Sequence, residues 1–135
     1  MTGILVPFDG SKHSLKALHI ACDLAEKYKD KVFLLYVVKV ESSFNVSEVN
    51  KETQDIAENI IRKAAAKAKY RGVEYKVLDF EYGDPASSIL ACVKRHKPST
   101  LVMGCRGLNA DIAEILGTVS RTVFEHADCT CIAVK

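Results

Sequence analysis

Two short segments combine residue types suited to holding an anion. The first is Asp9-Gly10-Ser11; the second opens with Gly104-Cys105-Arg106-Gly107 and resumes, after nine intervening residues, as Gly117-Thr118-Val119-Ser120. Glycines let the backbone approach a ligand closely, and the amides that open a helix are unpaired donors at the positive end of its dipole. Thr118 and Ser120 add hydroxyls, and Arg106 adds a planar, forked cation matched to phosphate. A chain of phosphates suits this set. Nothing in the sequence forms a recognisable catalytic set: there is no Gly-Lys-Ser/Thr phosphate loop, no nucleophile elbow and no two-histidine metal motif. His13, His19, His96 and His126 lack metal-ligand spacing, so no metal site is expected.

Each of these residues also has a plain structural role open to it. Asp9 would cap a turn or helix, the glycines would serve backbone turns, and Arg106 would be a solvated surface cation. Cys105, in a glycine turn beside Arg106, is the best candidate for an activated thiol, although an inert turn residue is the stronger reading.

The elements that would position these segments alternate. Ile4 to Phe8 reads as a short apolar strand, followed by a helix with Leu15, Leu18, Ala21, Ala25 and Tyr28 on its stripe, capped by Ser11 or Asp9. Val32 to Val38 is an unbroken run of strand formers, as expected for a strand buried on both faces. Glu41 to Asn50 reads as a connecting loop, and a long helix with Ile56, Ile60, Ala64 and Ala68 on one stripe ends at Arg71-Gly72. Val73, Tyr75 and Val77 alternate in one phase and Leu78, Phe80 and Tyr82 in the other, which a bulge or an edge position would explain. Asp84-Pro85 opens a third helix with Ala86, Ile89, Leu90 and Val93 inward. Leu101 to Met103 is a fourth strand, Thr118 to His126 a fourth helix, and Cys129 to Lys135 a closing strand. The expectation is one α/β domain over residues 1–135: a doubly wound, five-stranded parallel sheet with helices on both faces. In such sheets ligands bind beyond the carboxyl ends of the strands, where strand order reverses. If strands one and four are neighbours there, the two anion-binding turns face each other across a crevice.

Composition narrows the partners. Nineteen Lys and Arg against seventeen Asp and Glu leave a net charge of +2, which gives no electrostatic footprint for nucleic acid. No apolar run approaches the roughly 20 residues of a membrane span, and the N-terminus lacks the basic region of a secretory signal. Five cysteines, an odd number, argue against a disulfide framework. A cytoplasmic location follows as the expectation.

Gly-x-x-Gly, nine residues, then Gly-Thr resembles the ATP-binding motif of the universal stress protein family. The Asp9-Gly10-Ser11 turn, Gly83-Asp84-Pro85, Val102-Met103-Gly104-x-Arg106-Gly107 and His126-Ala127-x-Cys129 extend the resemblance over the whole chain. It implies an adenine nucleotide alpha hydrolase-like sheet in the order 3-2-1-4-5, with strands one and four adjacent. It also implies a bound ATP or AMP, with Mg²⁺ accompanying ATP. By position, Asp9 would contact the ribose or the adenine end, and the backbone near Val38 would lie against adenine. Gly104, Gly107, Gly117 and Thr118 would frame ribose and phosphates, with Val119 continuing the phosphate turn and Arg106 within the motif. The family often carries basic residues in the nine-residue stretch, whereas Leu108 to Leu116 here contains Asp111 and Glu114 and no Lys or Arg. Carboxylates there would weaken triphosphate binding or favour a less charged nucleotide such as AMP, and Lys12 and His13 would compensate if they face the crevice.

Three functions follow from the resemblance. One is a stress-response regulator in which nucleotide occupancy is the signal. Another is a dimeric interaction module that does not bind nucleotide and regulates a partner such as a transporter. The third is a slow ATPase, with weak hydrolysis as the most catalysis expected. The closing strand is apolar on both faces yet falls at the sheet edge in the family's topology, so a homodimer through that strand is expected.

Overall fold

β1 (Ile4–Pro7) is buried from Ile4 to Val6, with Ile4 and Val6 in one apolar cluster and Leu5 in the other. The same alternation repeats in β2 (Val32–Leu35) and β6 (Thr100–Gly104), as expected for central strands covered on both faces. The computed structural model describes residues 3–39, 51–105 and 117–135. The remaining elements are α1 (Lys12–Tyr28), β3 (Val37–Lys39), α2 (Lys51–Tyr70), β4 (Tyr75–Val77), β5 (Glu81–Gly83), α3 (Pro85–His96), α4 (Thr118–His126) and β7 (Thr130–Val134). The main sheet runs β4-β2-β1-β6-β7, all parallel. Taken in chain order these five strands are arranged 3-2-1-4-5, so the doubly wound sheet is as expected and β1 lies beside β6.

Helices α1 and α2 supply one core, against Val6, Val32, Leu34 and Val102; α3 and α4 supply the other, against Leu5, Phe33, Leu35 and Leu101. Fully burying a leucine stabilises the fold by about 1.5–3 kcal/mol, so these cores hold the crossovers in place. Two helix stripes are rotated from the sequence expectation. In α2 the buried residues are Ala57, Ile61, Ala64 and Ala68, and Ile56 is 51% exposed. In α1 Ala17 and Cys22 are buried and Tyr28 is exposed. The cause is that small residues line both inner faces and let the helices sit close to the sheet. In α3, Cys92 is buried with Ala86, Ile89 and Val93, while Leu90 is only partly covered.

The expected strand Val32 to Val38 breaks at Tyr36, and its continuation β3 pairs with β5 as a separate two-stranded ribbon. Tyr75 faces Val32 but Glu81 faces Val37, so six steps along the edge strand match five along its neighbour. One extra residue therefore lies in the edge strand, which reverses the faces of all later side chains. The phase switch after Val77 is thus a bulge in an edge strand, and both explanations apply. The stretch Glu41 to Asn50, Arg106, Gly107, Asp111 and Glu114 lie outside the described residues.

Candidate functional site

The turn after β1 is organised by its own side chains. Phe8 N donates to Leu35 O (2.8 Å), which keeps the end of β1 registered with β2. Asp9 Oδ1 accepts from Ser11 N at 2.8 Å, bridging Gly10, whose φ of +86° favours glycine. Ser11, not Asp9, is the N-cap of α1: its backbone is extended and its Oγ accepts from Ser14 N at 3.1 Å. Ser14 Oγ in turn donates to Ser11 O (3.0 Å) and accepts from Asp9 N (3.4 Å). These contacts fix the direction of the Asp9 carboxyl, which is half-buried at the start of the first helix.

Gly104, the last residue of β6, is where α1 touches the sheet. A Cβ there would stand 2.8 Å from His13 C and 2.9 Å from Ser14 N, inside van der Waals contact with helix backbone. Glycine is required here for close approach. On the other side, Gly117 N donates to Cys105 O (2.8 Å), and Cys105 N donates to Val134 O (2.8 Å). Ser120 Oγ donates to Gly104 O at 3.0 Å. The hydroxyl that seemed available for a phosphate is therefore spent holding α4 to β6. Cys105 is 1% exposed, consistent with an inert turn residue.

The starts of α1 and α4 thus converge on Gly104 and Cys105. Neither helix carries an acidic residue in its first turn. Gly117 caps α4 without a side-chain hydrogen bond, and the first helical bond is Arg121 N to Gly117 O (2.9 Å). The amides ahead of that bond, at Thr118, Val119 and Ser120, are the donors a helix start offers to an anion. Thr118 is exposed and Val119 half-buried. His13 Nδ1, packed where α1 meets Gly104, is buried without a hydrogen-bond partner among the described residues.

Two further groups lie at and just after the break between β2 and β3. Val38 is buried in β3 opposite Tyr82, so what it would offer a ligand is its backbone rather than its side chain. Tyr36, at the break between β2 and β3, has its pKa raised by burial first and by the charge of the Asp9 carboxylate second. Its ring meets Phe80 edge-on at 6.0 Å. Tyr36 was hidden within an apolar run, and only the break in the strand marks it. Of the expected site residues, the structure joins Gly104, Gly117, Thr118 and Val119 at one place and puts Asp9 at the neighbouring strand end.

No group of three or more His, Cys, Asp or Glu with metal-holding geometry occurs among the described residues. No helix among them is long and apolar enough to cross a membrane.

The universal stress protein family model matches residues 1–135. Universal stress protein YxiE of Bacillus subtilis is 30% identical over 145 residues, covering 98% of this chain and 97% of that protein. Among solved structures, the Archaeoglobus fulgidus universal stress protein in complex with dAMP aligns at a TM-score of 0.79 and 18% identity, covering 98% of this chain and 97% of its own. An Arabidopsis thaliana family protein with AMP bound aligns at 0.75 and 23%, covering 100% and 92%. The sheet order, the glycine turns and a match along the full length lead to one conclusion: this chain belongs to the universal stress protein family.

Proposed function

We propose that this protein binds an adenine nucleotide at the carboxyl ends of β1 and β6 and acts as a regulator through occupancy rather than turnover. The observation that carries this reading is the convergence of two helix starts, free of acidic residues in their first turns, on Gly104. Thr118 and Val119 amides would hold phosphate, with Arg106 and Gly107 completing the glycine turn. Asp9 would accept from the ribose hydroxyls, and the Val38 backbone would read adenine. The AMP and dAMP complexes of family structures support a monophosphate ligand; ATP with Mg²⁺ is the larger alternative. The test is to denature freshly purified protein, identify any released nucleotide by mass spectrometry, and titrate the emptied protein with AMP, ATP and cyclic AMP. Retained adenine nucleotide or saturable binding is expected. Failure of all three to bind at millimolar concentration would reject the reading.

A second reading, a homodimer through β7, is favoured by the exposure of that edge. Cys131 and Ile132 are only half-buried, and β7 pairs with β6 on one side alone. An unpaired edge favours antiparallel addition of a second copy. Deleting residues 132–135 should shift the sedimentation coefficient to that of a monomer, and an unchanged dimer would contradict it.

A further inference from the structure

At the end of the sheet away from Asp9 and Gly104, α3 and α4 finish just before β6 and β7 begin. A cleft of about 730 Å³ lies between α3 and the junction of α4 with β7. Its volume falls within the roughly 300–1,000 Å³ of small-molecule sites. One wall is a stripe of α3, where Ser87, Leu90, Ala91 and Lys94 share a helix face by their spacing of three and four residues. The facing wall includes His126, Ala127 and Cys129, a part of the sequence pattern that the nucleotide site leaves unused. Leu90, Ala127 and Cys129 pack on the α3/α4 core but are only half-covered, so each leaves apolar surface to the cleft.

Polar groups are spread unevenly along this cleft. Toward the start of α3 the Ser87 hydroxyl is already spent, donating to Asp84 Oδ2 at 3.0 Å. Toward the helix end Lys94 and Lys97 are exposed and join no ion pair among the described residues. Asp128 is the one carboxylate among the described lining residues, so the two ammonium groups leave a charge of 2 − 1 = +1. His126 Nδ1 lies 2.9 Å from Thr122 O. A carbonyl only accepts, so Nδ1 carries the proton of that contact and Nε2 is the ring nitrogen left to a ligand.

We propose that this cleft is a second ligand site, for a small amphiphile with one carboxylate head and an apolar body. The head lies at Lys94 and Lys97 and brings the charge of the lining to zero. The body runs back along Leu90 and Ala91, away from the lysines. A cationic ligand would meet two ammonium groups against one carboxylate. A nucleotide fits poorly, because no Phe, Tyr or Trp lines the cleft among the described residues to stack on a base. The site does not depend on the nucleotide reading, since it shares no residue with the ends of β1 and β6.

The test titrates the full chain, labelled with nitrogen-15, with sodium decanoate below its micelle concentration. Saturable one-to-one binding is expected, with amide shifts confined to residues 87–98 and 126–129. Decanol and the decyltrimethylammonium ion, which carry the same chain without the anion, should bind more weakly. Lys94→Gln combined with Lys97→Gln should lower decanoate affinity about 2–30-fold, the worth of two exposed ion pairs, and leave decanol binding unchanged. Ala91→Glu, at an exposed helix position, should weaken decanoate by placing a like charge beside its chain. Excess AMP should leave decanoate bound. Absence of saturable decanoate binding at millimolar concentration would overturn the proposal and leave the cleft to a protein segment. Equal binding of decanol or the ammonium ion, shifts centred elsewhere, parental affinity in the double glutamine variant, or displacement by AMP would each overturn it as well.

Discussion

Replacing Gly104 with alanine tests how the site is built. The new methyl carbon would stand 2.8 Å from His13 C, 2.9 Å from His13 Cβ and 2.9 Å from Ser14 N. Ordinary carbon contacts lie at about 3.5–4.0 Å, so α1 must retreat by roughly 0.5–1 Å. The obstructing atoms are mostly backbone of a helix whose next turns, through Ala17, Leu18 and Ala21, are packed on the sheet without gaps. They cannot rotate away as a side chain would. Overpacking of this kind costs about 1–3 kcal/mol. For a chain of this length that lowers the melting temperature by about 3–11 °C. The displaced helix start bounds the proposed site between Asp9 and Gly104, so AMP affinity should fall at least about tenfold, equivalent to about 1.4 kcal/mol. Gly72→Ala is the comparison. Gly72 has a φ of +71° with nothing within 4 Å of an added Cβ, so only backbone strain of about 1–2 kcal/mol applies. It should melt earlier but bind AMP as the parent does. Scanning calorimetry and isothermal titration on the three proteins decide the matter. A Gly104→Ala protein with parental melting would refute the close-approach reasoning, and one that melts early yet binds AMP normally would separate α1 from the ligand.

Asp9→Asn keeps an oxygen for the Ser11 amide and removes only the charge, so melting should stay near the parent while AMP affinity drops about 10–100-fold, the worth of a charged hydrogen bond. Asp9→Ala should lose the turn as well, destabilising by about 0.5–2 kcal/mol; undiminished binding by Asp9→Asn would leave that residue a turn former alone. Burial raises the Cys92 thiol from 9.0 to about 11. Because the folded value lies above the unfolded one, its contribution to stability is intact below about pH 9 and is lost as pH rises toward 11. Denaturant midpoints measured across that window should fall less steeply for Cys92→Ala than for the parent, and parallel slopes would contradict the assignment.

Local chemistry explains what was legible in the sequence. Caps and punctuation act over a few residues, so Asp84-Pro85 at the start of α3 could be read directly, and the cap of α1 was narrowed to Ser11 or Asp9 before the structure selected Ser11. Continuous apolar runs marked the strands covered on both faces, and glycine spacing marked the turns at the carboxyl ends of β1 and β6. The exact inward stripe of α1 and α2 was not legible, because alanines and cysteines on either side of a stripe are equally acceptable until a neighbouring surface selects among them.

Tertiary structure decided the rest. Only the β1–β6 pairing brings Asp9 and Gly104 to adjacent strand ends, although 95 positions separate them in the chain. Only packing shows that Gly104 is needed for contact with α1, that the Ser120 hydroxyl is spent on the Gly104 carbonyl, and that Tyr36 falls at the break between β2 and β3. Residue types and short-range hydrogen bonding are properties of the chain itself. Which groups remain free for a ligand depends on partners far away in sequence, and those are chosen by strand register and helix packing.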